Sequence, residues 1–254
     1  MRQREKIEIA APDGQIIRGI FSLTEGAEKA PAVIFAHGFG STHNGEKSVA
    51  LEAECERRDW AFAACDFRGH GTSGGTMLEL RGSRLIADLD KIVSEVESRN
   101  VGPICLVGSS MGGWTAAWFA AREPARVAAC AFIAPAFHFL EFRSLSKAER
   151  KEFQRAGRYH YHSEFVDAEI SYELPVEMEK YHLEEMLRHF RTPLLIFHGM
   201  RDDIVPYADS VDFTARSAAQ EVELHLFKTG DHRLNQQREE MARLACNFFA
   251  AKSG

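Results

Sequence analysis

The sequence contains no apolar run approaching the roughly 20 residues that a membrane-crossing helix needs. It also lacks a basic excess. The formal net charge is −6 over 254 residues, which argues against nucleic acid or an anionic lipid surface as a partner. No block of like charge is long enough to form a tail. Cysteine is scarce and unpaired: there are five, irregularly spaced, and Cys65, Cys105 and Cys130 sit in apolar runs. That excludes a disulfide framework, and no cysteine pair has metal-ligand spacing. The start, Met1-Arg2-Gln3-Arg4-Glu5-Lys6, is charged and lacks the apolar core of a secretory signal. A cytoplasmic protein with reduced, buried thiols is expected, with no metal and no organic cofactor.

Apolar residues are plentiful instead, at 45%. This is enough to fill the core of one large domain spanning 1–254. Strand and helix patterns alternate. Lys6–Ala10 and Gln15–Ser22 flank the turn Pro12-Asp13-Gly14 and predict a hairpin. Further strands are expected at Ala32–Ala36, Ala61–Cys65, Ile104–Val107, Ala128–Ala134, Leu194–His198 and Val222–Phe227. Helical periodicity covers Glu46–Asp59, Ser83–Arg99, Trp114–Ala121, Tyr207–Ala218 and Gln236–Ala251. Such alternation predicts an α/β fold: an eight-stranded, mostly parallel sheet with helices on both faces. Ligands of such sheets bind outside the carboxyl ends of the strands.

One stretch breaks the rhythm. About 59 residues, 135–193, separate the sixth and seventh strands, where a crossover needs far fewer. This segment holds Tyr159, Tyr161, Tyr172, Tyr181, Phe137, Phe139, Phe142, Phe153 and Phe165. Its aromatic load predicts a cap, about 136–190, over the strand ends. Helices are expected within it at Ser146–Arg158 and Glu177–His189. His160 and His162 stand two apart, a spacing that could hold a metal, but no further matched ligand is visible in the sequence.

The pentapeptide Gly108-Ser109-Ser110-Met111-Gly112 has the form G-x-S-x-G and lies between an apolar strand and an apolar helix. That spacing has a mechanical cause. A strand turning sharply into a helix strains its apex residue and leaves room only for glycine two positions to either side. Ser110 is thereby the expected nucleophile. Ser109 lacks the glycines, since Val107 and Met111 flank it at that distance, and it is expected to line the substrate site. A serine hydroxyl needs a base, and the base needs an orienting acid. The loops after the last two sheet strands supply candidates: Asp202 and Asp203 in Gly199–Pro206, and His232 in Lys228–Arg233.

These residues carry a resemblance. The chain resembles the α/β-hydrolase family over essentially its whole length. The matching pieces are His37-Gly38-Phe39-Gly40, Asp66-Phe67-Arg68-Gly69-His70-Gly71-Thr72-Ser73, the Ser110 pentapeptide, Gly199-x-x-Asp202-x-x-Val205-Pro206 and Gly230-Asp231-His232. The resemblance implies the α/β-hydrolase fold, Asp202 as the acid, His232 as the base, and an oxyanion hole from the backbone N–H groups of Met111 and Phe39. The Phe39 ring is expected to line the acyl site. Asp203 is expected to cap the following turn, and the Asp66–Ser73 loop, with His37 and His70, to stabilise structure.

Within the family the chain looks most like small carboxylesterases and acyl-protein thioesterases. Animal enzymes of that branch are mitochondrial and act on S-palmitoyl groups; no mitochondrial-type leader is visible here. The expected activity is hydrolysis of carboxylic esters of small-to-medium acyl or aryl groups through an acyl-serine intermediate. Thioesters are the alternative, with peptides and lactones further behind, because the elbow alone does not separate these bonds.

Overall fold

The structure is a computed structural model that describes residues 2–27, 29–139, 145–162 and 166–252. Its elements run β1 (Arg2–Ala10), β2 (Ile16–Thr24), β3 (Ala32–Ala36), α1 (Glu46–Arg57), β4 (Ala61–Cys65), α2 (Gly82–Glu97), β5 (Ile104–Ser109), α3 (Met111–Arg122) and β6 (Ala129–Ile133). The insertion follows with α4 (Lys147–Ala156), β7 (Arg158–His162), β8 (Asp167–Ser171), α5 (Glu173–Met178) and α6 (Leu183–His189). The chain then returns through β9 (Leu194–Gly199), α7 (Tyr207–Arg216), β10 (Val222–Phe227) and α8 (Arg238–Lys252).

Eight strands form the main sheet in the order β1-β2-β4-β3-β5-β6-β9-β10. β1 and β2 make the expected antiparallel hairpin, β2 runs antiparallel to β4, and all other neighbours are parallel. Every residue of β3, β4, β5, β6 and β9 is buried, as strands covered on both faces require. α2 presents Leu85, Ile86, Leu89, Ile92, Val93 and Val96 to one face of the sheet, alongside Trp114 and Trp118 of α3. Leu51 and Cys55 of α1 and Met241, Ala245 and Phe249 of α8 cover the other face. All five cysteines are buried and none is in a disulfide. No helix among the described residues is long and apolar enough to cross a membrane.

The insertion departs from the pattern read in sequence. Between its helices stands a two-stranded antiparallel sheet, β7 with β8, which helical periodicity did not anticipate. The single helix expected over Glu177–His189 is two helices, α5 and α6. The break places Tyr181 edge-on against Trp114 and Trp118, at 5.1 and 5.2 Å between ring centroids. Tertiary packing of one aromatic thus overrides local periodicity. α4 begins with a capping box, Ser146 with Glu149, and ends at Gly157 in the left-handed region (φ 71°).

The loops after β3 and β4 are tied together by buried polar groups, as expected of a structural role. Asp66 accepts from the backbone N–H of His43 (2.6 Å) and of Thr72 (2.7 Å). His37, fully buried, accepts at Nε2 from Phe67 N–H (3.0 Å) and donates from Nδ1 to Gly38 O (2.8 Å). Burial alone would raise the Asp66 pKa, but hydrogen bonds from His43 and Thr72 outweigh it and hold the group at about 2, against an ordinary 3.8. A carboxyl depressed on folding stabilises above its unfolded pKa and loses that contribution as pH falls through the folded value. Asp66→Asn is therefore expected to cost about 1–2 kcal/mol at pH 7. The deficit against wild type should shrink between pH 4 and 2, measured by urea denaturation at each pH. An equal deficit at both ends would contradict this origin.

Candidate active site

The turn between β5 and α3 puts Ser110 at φ 51° and ψ −113°, a conformation that a non-glycine residue adopts only under constraint. The constraint is backbone packing. A Cβ added at Gly108 would lie 2.5 Å from the Gly112 carbonyl oxygen, and one at Gly112 would collide with the Ala36 carbonyl. Ser110 N–H donates to Ile133 O (2.9 Å), which pins the turn to β6.

Two further loops converge on it. The loop after β9 carries Asp202, and the loop after β10 carries His232. They are locked together where Gly199 faces Gly230, since a Cβ on Gly199 would overlap the Gly230 carbonyl. Arg201 N–H also donates to Gly230 O (2.9 Å). The outcome is a continuous relay. His232 Nε2 lies 3.1 Å from Ser110 Oγ, and His232 Nδ1 lies 2.7 Å from Asp202 Oδ2. A carboxylate only accepts, so Nδ1 carries the proton and Nε2 presents its lone pair to the serine hydroxyl.

With that geometry, the relationships to known proteins can be read. The sequence profile of a family described as serine aminopeptidase, S33, matches residues 27–185 and 161–239. Palmitoyl-protein thioesterase ABHD10, mitochondrial, of Mus musculus is 32% identical over 217 residues, 83% of this chain and 72% of that protein. The chain belongs to the α/β-hydrolase family. It is a hydrolase of the esterase and thioesterase branch. The solved structure of mouse α/β-hydrolase domain-containing protein 10 superposes with a TM-score of 0.81 at 27% identity, covering 97% of this chain and 98% of that one. Est1E from Butyrivibrio proteoclasticus, solved with ferulic acid bound, shares the fold at a TM-score of 0.81 and 20% identity, covering 97% of this chain and 98% of that one.

The α/β-hydrolase site contains one group that the sequence reading passed over. His198, the penultimate residue of β9, is fully buried. Its Nε2 lies 3.0 Å from Val205 O and 3.1 Å from Asp202 Oδ2. A carbonyl cannot donate, so Nε2–H is the shared donor, and Nδ1 accepts from the Ser210 hydroxyl at 2.7 Å. A histidine ending a strand of an α/β sheet sits where ligands and catalytic groups gather, and that position was the available signal. Asp203, expected to cap the turn, is exposed; Asp202 does the capping itself. Asp202 Oδ1 accepts from Ile204 N–H (2.9 Å) and Val205 N–H (2.8 Å). Burial would raise the Asp202 pKa, yet the bonds from His198 and His232, the nearby His232 charge and the Val205 amide hold it well below the carboxylate range.

Ser110 opens into a cleft of about 790 Å³. Phe39 and Ser109 line it, together with Phe139, Tyr161, Val166 and Ile204. Met111, by contrast, is fully buried at the start of α3, where its amide belongs to the helix's unpaired first turn. The loop bearing Phe39 abuts Ser110: a Cβ on Gly38 would sit 3.4 Å from Ser110 Cβ. Most insertion aromatics turn away from the cleft. Tyr159 and Tyr172 pack around Phe153, and Phe137 stacks on Phe213 at 4.0 Å. Phe142 and Phe165 lie outside the described residues. Charges of both signs, Glu46, Lys47, Asp209 and Arg233, border the cleft. Burial, then the Arg233 charge, lowers the Lys47 pKa to about 8.

His198→Phe keeps a ring of similar size and removes the donor to Asp202. It is expected to lower kcat by about tenfold, roughly 1.4 kcal/mol, with little change in KM. Unchanged kcat and unchanged thermal stability would show that His198 does not hold Asp202.

Proposed function

We propose that this α/β-hydrolase cleaves carboxylic esters through an acyl-serine intermediate. Ser110 is the nucleophile, His232 the general base and acid, and Asp202 the group that holds the imidazole. The observation carrying this reading is the unbroken relay from buried Asp202 through His232 to a serine that opens into a cleft. In the mechanism, Nε2 of His232 accepts the Ser110 proton as Oγ attacks the carbonyl carbon. The imidazolium that forms is stabilised by Asp202, which stays ionised because its four hydrogen-bond donors favour the charge. His232 then returns the proton to the leaving oxygen or sulfur. Water, deprotonated by the same nitrogen, releases the acid and restores Ser110.

The carbonyl oxygen gains negative charge in each step and needs preorganised donors. The Met111 amide at the start of α3 and the Phe39 amide on the adjacent loop fill this role. The field of the α3 N-terminus favours the same charge. Phe39, Phe139, Tyr161 and Val166 make an apolar, aromatic wall suited to the acyl or aryl part of the substrate. The insertion acts as the cap, because Tyr161 and Val166 reach the cleft from it.

A thioester reading is supported by a separate observation. A second cavity of about 720 Å³ lies within the insertion, lined by Phe153, Tyr172, Met178, Tyr181 and Leu183, and it shares His138 with the cleft. A long acyl chain passing His138 would find the apolar side formed by Phe153, Pro175, Met178 and Leu183, opposite a rim of Arg150, Glu179, Glu184, Asp212 and Arg216. The ABHD10 relatives, named for palmitoyl-protein thioester hydrolysis, support the same direction.

Ser110→Ala is expected to reduce hydrolysis of p-nitrophenyl acyl esters by about 10⁴-fold or more without lowering the melting temperature. Retained hydrolysis would remove Ser110 from the mechanism. A matched series of oxygen and sulfur esters of rising acyl length decides the substrate class: a maximum at short or aryl oxygen esters supports the esterase, and a maximum at long-chain thioesters supports the thioesterase.

A further inference from the structure

The hairpin of β7 and β8 has two unlike faces. Inward, Tyr159 packs on Phe153, and Tyr161 meets the Phe39 ring edge-on at 5.4 Å in the cleft wall. Outward, the alternation brings His160 and His162 onto one exposed face, their rings nearly parallel (10°) with centroids 6.4 Å apart. The register sets Asp167 directly across from His162. Its carboxylate already meets both histidines: Oδ1 is 2.9 Å from His160 Nε2, and Oδ2 is 3.5 Å from His162 Nδ1. The sequence showed two imidazoles without a third ligand. The third ligand comes from the facing strand.

We propose that His160, His162 and Asp167 form a binding site for a divalent transition-metal ion, of which zinc is the type. The three ligand atoms lie within 4.8 Å of one another. Zinc holds imidazole nitrogen and carboxylate oxygen at about 2.0–2.2 Å, so its ligands stand roughly 3–4 Å apart. Small rotations of exposed side chains close that difference. Two imidazoles and one carboxylate suit zinc, nickel or copper rather than calcium or magnesium. The neighbouring Glu169, opposite His160, is engaged by Arg158 at 3.5 Å and is not needed. Solvent completes the coordination.

The site's position gives it a role. Each ligand adjoins a residue of the cleft wall: Tyr161 stands between the two histidines, and Val166 precedes Asp167. Val166 presses on the loop of Phe39, where a Cβ on Gly40 would collide with it. An ion joining β7 to β8 across their last pair clamps this wall against that loop. The metal thus stiffens the acyl side of the cleft without touching Ser110, His232 or Asp202. Its binding is independent of which bond the enzyme cleaves.

Zinc titration against a competing chromophoric indicator tests this. The wild type and the variants His160→Gln/His162→Gln and Asp167→Asn are compared, each first shown to keep the metal-free hydrolysis rate as proof of folding. Removing a ligand should cost at least what losing a supporting group costs, so the variants are expected to bind about tenfold or more weakly. Zinc should also raise the melting temperature of the wild type more than that of the variants, and should change KM for bulky acyl esters in the wild type alone. Equal zinc affinity across the three proteins, with any binding then traceable to His232 or other groups, would overturn the proposal. So would zinc that binds at the hairpin but shifts neither melting temperature nor KM, since the clamp would then be absent.

Discussion

The backbone of Ser110 is the constraint on which the rest of the molecule depends. Holding a non-glycine residue at φ 51°, ψ −113° costs about 1–3 kcal/mol. The flanking elements cover that cost. Trp114, Trp118 and Phe119, all but fully buried in the first turns of α3, each contribute on the order of 1.5–3 kcal/mol by leaving water. Any one of them offsets the strain, provided that α3 starts where it does. Its start is possible only because Gly108 lets β5, and Gly112 lets β3, approach α3 backbone to backbone. The strain in turn raises the hydroxyl out of the sheet to the point where His232 reaches it.

A second balance operates at Asp202. A buried, unpaired carboxylate costs several kcal/mol and would escape by protonation. Asp202 instead receives four donors: two imidazoles and two backbone amides. Bonds to a charged acceptor contribute about 1.5–3 kcal/mol each, enough together to keep it ionised. The two amides belong to its own loop, so the charge also shapes the turn that leads into α7. His198 reaches it from the carboxyl end of β9, and Ser210 of α7 fixes the ring of His198. Asp202 is thus held by the strand before it, the turn around it and the helix after it.

This division explains what could be read from sequence. The central strands were legible because burial on both faces leaves uninterrupted apolar runs, and Ser110 was legible because its turn admits only glycine at two fixed distances. The loops after β9 and β10 offered Asp202, Asp203 and His232, and the family resemblance singled out Asp202 and His232. Asp203 stood beside Asp202 with the same chemistry, and only three dimensions show that Asp202 performs both tasks once assigned to the pair. His198 was hidden because its function depends on where β9 ends. The insertion was the least legible part. Its helix break follows from Tyr181 docking on α3, and its strand pair from the register between β7 and β8; neither is a local property of the chain.

The aromatic residues of the insertion make the same point about function. Their number suggested a substrate-facing surface, but most of them build the insertion itself or fasten it to α3 and α7. Only Phe139 and Tyr161 among the described ones reach the cleft. A segment that spends most of its aromatics on its own packing is a folded wall, and its shape is set before substrate arrives. The two residues that do face the cleft are held from behind, Tyr161 by the strand pair of β7 and β8 and Phe139 by Trp114 at 6.1 Å. The shape of the cleft then depends on how firmly that backing stands. The wall is thus backed by α3 and the strand pair, while the relay beneath it is held separately by β9, α7 and the loop after β10.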